Sequence, residues 1–116
     1  MAGLAGGVQE KTSDTPAAPR ALGAVHSADI EYAMGTLPTN RVYDWQPEDY
    51  VVSDIFSNYY VNFVKTGNPN GLGLVDWPTT NGKAIAPVLQ IDVNTFVKED
   101  PNMEKRYEIM DGLFWK

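Results

Sequence analysis

A mainly α chain carrying one small β-hairpin, an α+β arrangement lacking a central sheet, is what this sequence predicts. Two stretches of helical period and one pair of short β-favouring runs point to it. The first helical stretch is PEDYVVSDIFSNYYVNFVKTGNP, where Val52, Ile55, Phe56, Tyr59 and Phe63 recur at spacings of three and four. The second opens at Pro101 and spaces Tyr107, Met110, Leu113 and Phe114 to bury one side. Between them, Ile85 to Ile91 and Thr95 to Lys98 make a hairpin across Asp92 to Asn94, with Val88, Leu89, Ile91, Phe96 and Val97 as its β-favouring residues.

In chain order, residues 1–22 are rich in Gly, Ala, Pro, Ser and Thr and carry no period, so they read as a flexible linker or tail. The stretch GAVHSADIEYAMG follows. Within it, Ala28, Ile30, Ala33 and Met34 fall on one side of about two helical turns, Ser27 is placed to cap the N-terminus, and Gly35 ends the helix. His26, the single histidine of the chain, then sits just before the cap, held by a turn. A lone histidine in such a turn serves equally as a general base facing a cleft or as a polar residue packing a loop. The stretch by itself leaves both readings open.

A loop from Thr36 to Gln46 leads to the long helix. Pro47 suits its first turn, Glu48 and Asp49 complement the positive end of the macrodipole, Lys65 complements the negative end, and Gly67 and Pro69 stop it. Tyr60 and Val64 widen its apolar face, which asks for more partner surface than the rest of the chain supplies. The segment GNPNGLGLVDWPTTNGKA is turn chemistry almost throughout, and Trp77 is expected to anchor it onto the long helix.

Composition narrows the chemistry. At 116 residues the chain is one domain at most. A free-standing domain of that length buries roughly two-thirds of its unfolded surface. An apolar fraction of 43% with 21% charged residues is that of a folding chain. Nine basic against fifteen acidic residues give a net charge of −6 with no basic stripe, which argues against nucleic acid or an anionic membrane as partner. No run reaches the roughly 20 apolar residues of a membrane span, and MAGLAGGVQEK lacks the basic start of a signal peptide. Zero Cys excludes thiolate nucleophiles and thiolate metal sites, and one histidine among scattered carboxylates makes a poor metal set. Gly71 and Gly73 lack the third glycine and flanking strand of a phosphate loop. Asp92 and Asn94 lack the glycine and glutamate of a calcium loop. Of the parts of a serine hydrolase only a base is present, since no G-x-S-x-G occurs.

Three segments together are more specific. GAVHSADIEYAMG, then NYYVNFVKTGNPNG about thirty residues later, then DWPTTNG resemble, in order and spacing, the C-terminal portion of type B carboxylesterases, the cholinesterase-like branch of the α/β-hydrolases. The resemblance runs from about Gly23 to the terminal RYEIMDGLFWK, about four-fifths of the chain. It implies that residues 23–116 are an α/β-hydrolase C-terminal segment and that His26 is the histidine of a Ser-Glu/Asp-His triad. In that role the imidazole takes the serine proton and later returns one to the leaving alcohol. Asp29 and Glu31 match acidic positions just after the family's histidine and are expected to orient or support it, the triad acid lying upstream. Tyr32 and Met34 either line the acyl or alcohol pocket or pack the core. The KTGNPNG turn is a family hallmark without chemistry of its own.

Full members of that family carry the central sheet, the oxyanion loop and the serine elbow before this point. The resemblance therefore implies a fragment that is inactive alone, uses no cofactor or metal, and works with the upstream portion of the same esterase, where the ester substrate binds. Two other readings stand beside it. One is a non-catalytic protein-interaction module of the same fold, since the family includes adhesion relatives. The other is an orphan domain that self-associates through the aromatic face of its long helix.

Overall fold

The computed structural model describes residues 24–115. The linker expected over residues 1–22 lies outside them. The order is α1 (Ile30–Met34), a 3-10 turn (Leu37–Thr39), α2 (Pro47–Thr66), β1 (Pro87–Gln90), β2 (Phe96–Glu99) and α3 (Pro101–Phe114). This is the expected mainly α chain with one hairpin, and among the described residues the two strands form a single antiparallel sheet.

The long helix begins at Pro47 behind a reciprocal cap. The Gln46 backbone N–H donates to Asp49 Oδ2 at 2.7 Å, while the Asp49 N–H donates to the Gln46 carbonyl at 3.0 Å. It ends at Gly67, whose φ of 76° a side chain would resist and whose N–H donates to the Phe63 carbonyl at 2.7 Å. Val52, Phe56 and Tyr59 turn inward as their spacing requires, and Ser53 is buried beside them. The expected face is too long at its C-terminal end, however. Phe63 is exposed together with Tyr60 and Val64, because the described core stops one turn earlier.

That core gathers Tyr32, Leu37, Val52, Phe56, Tyr59, Leu89 and Ile91, with Ala28, Ala33, Trp45, Ile55, Leu74 and Val97 packed against it. The α1 helix lies on α2, and its single turn is shorter than expected. Ser27 does not cap it, since its backbone is left-handed at φ 64°, and Asp29 takes the N-cap position without a side-chain bond. A helix this short has no stability of its own. Its largest ring therefore decides its orientation. Tyr32 is 1% exposed, whereas Ile30 and Met34, expected inside, face out.

The loop after α2 is fastened by side-chain amides. Asn70 Oδ1 accepts from the Trp77 N–H at 2.6 Å, and Asn70 Nδ2 donates to the Trp77 carbonyl at 3.0 Å. The clamped Trp77 ring meets the edge of Tyr59 on α2 with centroids 6.1 Å apart, as expected for a loop anchor. The Tyr59 hydroxyl donates to the Val75 carbonyl at 2.5 Å. A Cβ at Gly71 would run into the Asn62 side-chain amide, which donates to the Pro69 carbonyl at 3.3 Å, so a larger residue there would have to displace that amide. The NPNG turn thus works as a structural clasp.

The hairpin pairs Pro87 with Glu99, Val88 with Lys98, Leu89 with Val97 and Gln90 with Phe96. Both strands are four residues long, so Ile85, Ile91 and Thr95 lie outside the ladder. Pro87, Leu89 and Ile91 are buried in alternation, which turns one face of β1 to the core. Thr95 Oγ1 closes the turn by donating to the Asp92 carbonyl at 2.8 Å.

The last helix departs most from expectation. Asp100 caps α3 by accepting from the Asn102 N–H at 2.9 Å, and Pro101 occupies its first turn. Yet no residue of α3 is buried. Tyr107, Met110, Leu113 and Phe114 share a side as predicted, but no described residue covers it, so all four are exposed. No described helix is long and apolar enough to cross a membrane.

Candidate active site

His26 lies in the turn of residues 26–29 that feeds directly into α1. The Ala28 N–H donates to the Val25 carbonyl at 3.2 Å and the Ile30 N–H to the Ser27 carbonyl at 3.3 Å, so the histidine is carried by a closed turn. Its side chain is exposed. The left-handed Ser27 next to it bends the chain sharply between the imidazole and the helix, at a conformational cost that L-residues normally avoid.

What fixes this turn in space is its attachment to α2. The Tyr32 hydroxyl donates to Asp49 Oδ1 at 2.7 Å, and the buried Ser53 hydroxyl donates to the Tyr32 carbonyl at 2.8 Å. The Tyr32 ring stands edge-on to Trp45, centroids 5.7 Å apart. Burial, then the bond to Asp49 and the negative charges of Asp49 and Glu31, push the Tyr32 phenol well above its ordinary range, so it stays a donor. Burial and the nearby Asp76 also raise Tyr59, against the opposing effect of its bond to the Val75 backbone.

The two carboxylates following the histidine have different surroundings. Glu31 Oε1 accepts from Asn40 Nδ2 at 2.8 Å, and the Asn40 carbonyl accepts from Trp45 Nε1 at 2.8 Å. Glu31 therefore ties α1 to the connecting loop. Asp29 is half-buried, and its backbone carbonyl accepts the Ala33 N–H at 2.8 Å. Of the two pocket candidates, Tyr32 is in the core and Met34 is exposed. Among the described residues no three His, Asp or Glu side chains converge to hold a metal ion.

Two contributors escaped the sequence reading. Asp49 reads from sequence as a partner for the helix dipole, although the Gln46-x-x-Asp49 spacing is that of a capping box. Ser53 is a polar residue beside the apolar stripe of α2, and that position is the available sign that its hydroxyl has a buried acceptor.

Comparison with known proteins places this arrangement. The Geobacillus stearothermophilus carboxylesterase EST55 superposes with a TM-score of 0.60 at 22% identity, covering 81% of this chain and 19% of that one. A thermophilic PNB esterase gives 0.63 at 23%, covering 84% and 20%. The fold is thus that of part of an α/β-hydrolase carboxylesterase. In sequence, carboxylesterase 4A of Bos taurus is 34% identical over 98 residues, which are 84% of this chain and 16% of that protein. Bile salt-activated lipase of Homo sapiens is 40% identical over 58 residues, 50% of this chain and 8% of that protein. The model of the Carboxylesterase family matches residues 7–110, and the chain belongs to that family. It spans less than a fifth of the length of these curated relatives.

Proposed function

We propose that this chain supplies the general base of a serine carboxylic-ester hydrolase, His26, together with a helical layer of its structure, and that it does not hydrolyse esters by itself. The observation that carries the reading is the exposed imidazole on a closed turn at the head of a docked helix, in a chain of the carboxylesterase family. A triad histidine must present one ring nitrogen to the serine hydroxyl and the other to a carboxylate, so both edges must be reachable. Glu31 already holds Asn40, which favours a supporting part for it. Asp29 is assigned the same part.

The exposed apolar residues of α2 and α3, among them Phe63, Val64, Leu113 and Phe114, support the layer reading. They are the surfaces that the remaining length of such an enzyme would cover. The test joins the chain to the serine-bearing portion of its esterase and follows a p-nitrophenyl ester. We expect no rate from the chain alone, a rate in the joined protein, and a loss of about 10³-fold or more in His26→Ala. A joined enzyme indifferent to His26→Ala would sink the assignment.

A further inference from the structure

Resting on the assignment of His26 above, we infer that Tyr32, Asp49 and Ser53 are positioning residues that hold the His26 turn in register for proton transfer. The turn and α1 form one short arm, closed by the Ile30 to Ser27 and Ala33 to Asp29 backbone bonds at 3.3 and 2.8 Å. One helical turn cannot hold itself in place. Beyond the burial of its Tyr32 ring and the Glu31 bond to Asn40, it is held by two polar bonds of Tyr32 to α2, one from each end of the residue. The phenol reaches Asp49 Oδ1 at 2.7 Å, and the main-chain carbonyl receives the Ser53 hydroxyl at 2.8 Å.

The design of this clamp goes beyond packing. A Phe at position 32 would fill the same space against Trp45, so burial alone does not call for the hydroxyl. Asp49 spends its two oxygens on two different elements. Oδ1 takes the Tyr32 hydroxyl of α1 and Oδ2 takes the Gln46 N–H that starts α2. One carboxylate thereby sets where the long helix begins and how the histidine arm sits on it. The bond to an ionised acceptor is of the short, strong kind and fixes direction as well as distance. Base catalysis is sensitive to that direction, since displacement of a reacting group by about 1 Å costs about 100-fold in rate.

The test uses the chain joined to the serine-bearing portion of its esterase, with p-nitrophenyl acetate as substrate. Active sites are counted by end-point labelling with an organophosphate, so that kcat refers only to folded, competent molecules. Tyr32→Phe is expected to lower kcat per labelled site by about tenfold with KM within about twofold, and Ser53→Ala to act in the same direction. Asp49→Asn, which keeps one acceptor oxygen, should retain more of kcat than Asp49→Ala. A merely structural part would reduce the number of labelled sites and leave kcat per site alone. Wild-type kcat per site in both Tyr32→Phe and Ser53→Ala overturns the clamp while a dead His26→Ala upholds the base. Full activity in His26→Ala overturns the base and the clamp with it.

Discussion

The two ends of the described chain use their apolar residues in opposite ways. At the α1–α2 junction, one small helix and the start of a long one bury Tyr32, Val52 and Phe56 and satisfy each polar group they enclose, Ser53 included. At the other end α3 has as good a cap and an equally clear apolar side, yet no residue on it is buried, and Tyr107, Met110, Leu113 and Phe114 are open to solvent. Local sequence rules explain both helices. What separates them is whether a partner surface lies among the described residues, and α3 shows that periodicity reports a face and never its occupant.

The largest effect that separates these regions is a core truncation. Phe56→Ala should cost about 3 to 5 kcal/mol in urea unfolding of the chain, because the ring is buried between α2 and its neighbours. Leu113→Ala on α3 should fall within about 0.5 kcal/mol of wild type, there being little burial to lose. Equal losses at the two sites would mean that α3 is covered in solution, and the contrast would have to be withdrawn.

That contrast also marks how much was legible beforehand. The 47–66 helix, its proline start and its glycine stop follow from local chemistry, and so do the hairpin and the anchoring by Trp77. The resemblance carried by GAVHSADIEYAMG, NYYVNFVKTGNPNG and DWPTTNG in order and spacing brings the family into view at the same time. Three things were not legible, for separate physical reasons. The face of α1 was misjudged because in a single turn one tyrosine outweighs the summed preference of Ile30 and Met34. The Tyr107 to Phe114 side, expected to be buried, is exposed because no described residue covers it. The clamp at Asp49 and Ser53 depends on contacts seventeen and twenty-one residues apart, which no local pattern encodes.

A gentler probe is alkaline pH, which acts on the locked region and spares α3. Tyr32 and Tyr59 have phenols raised by burial and, for Tyr32, by the bond to Asp49. In the unfolded chain both ionise near pH 10. Below that value folded and unfolded states hold the same protons and the stabilisation is fully present. As pH rises past it the unfolded state loses protons first, so stability falls until the folded phenols titrate in turn. The urea midpoint should therefore drop between about pH 9 and about pH 11. Tyr32→Phe should flatten that drop, and a midpoint independent of pH would show that the two phenols are solvated.

The smallest effect concerns the one residue of the arm that works against its own backbone. Ser27 is held at φ 64°, where an L-residue costs about 1 to 2 kcal/mol relative to its preferred regions. Glycine has no such penalty but loses more freedom on folding, by about 0.5 to 1 kcal/mol. The difference leaves Ser27→Gly a net stabilisation of between zero and about 1.5 kcal/mol, while Ser27→Ala, strained in the same way, should not stabilise. Both are read from urea midpoints of the chain. A destabilised glycine variant would mean that the strain at Ser27 is already offset by an interaction of its side chain. The histidine turn would then be held from both sides, by Ser27 as well as by Tyr32.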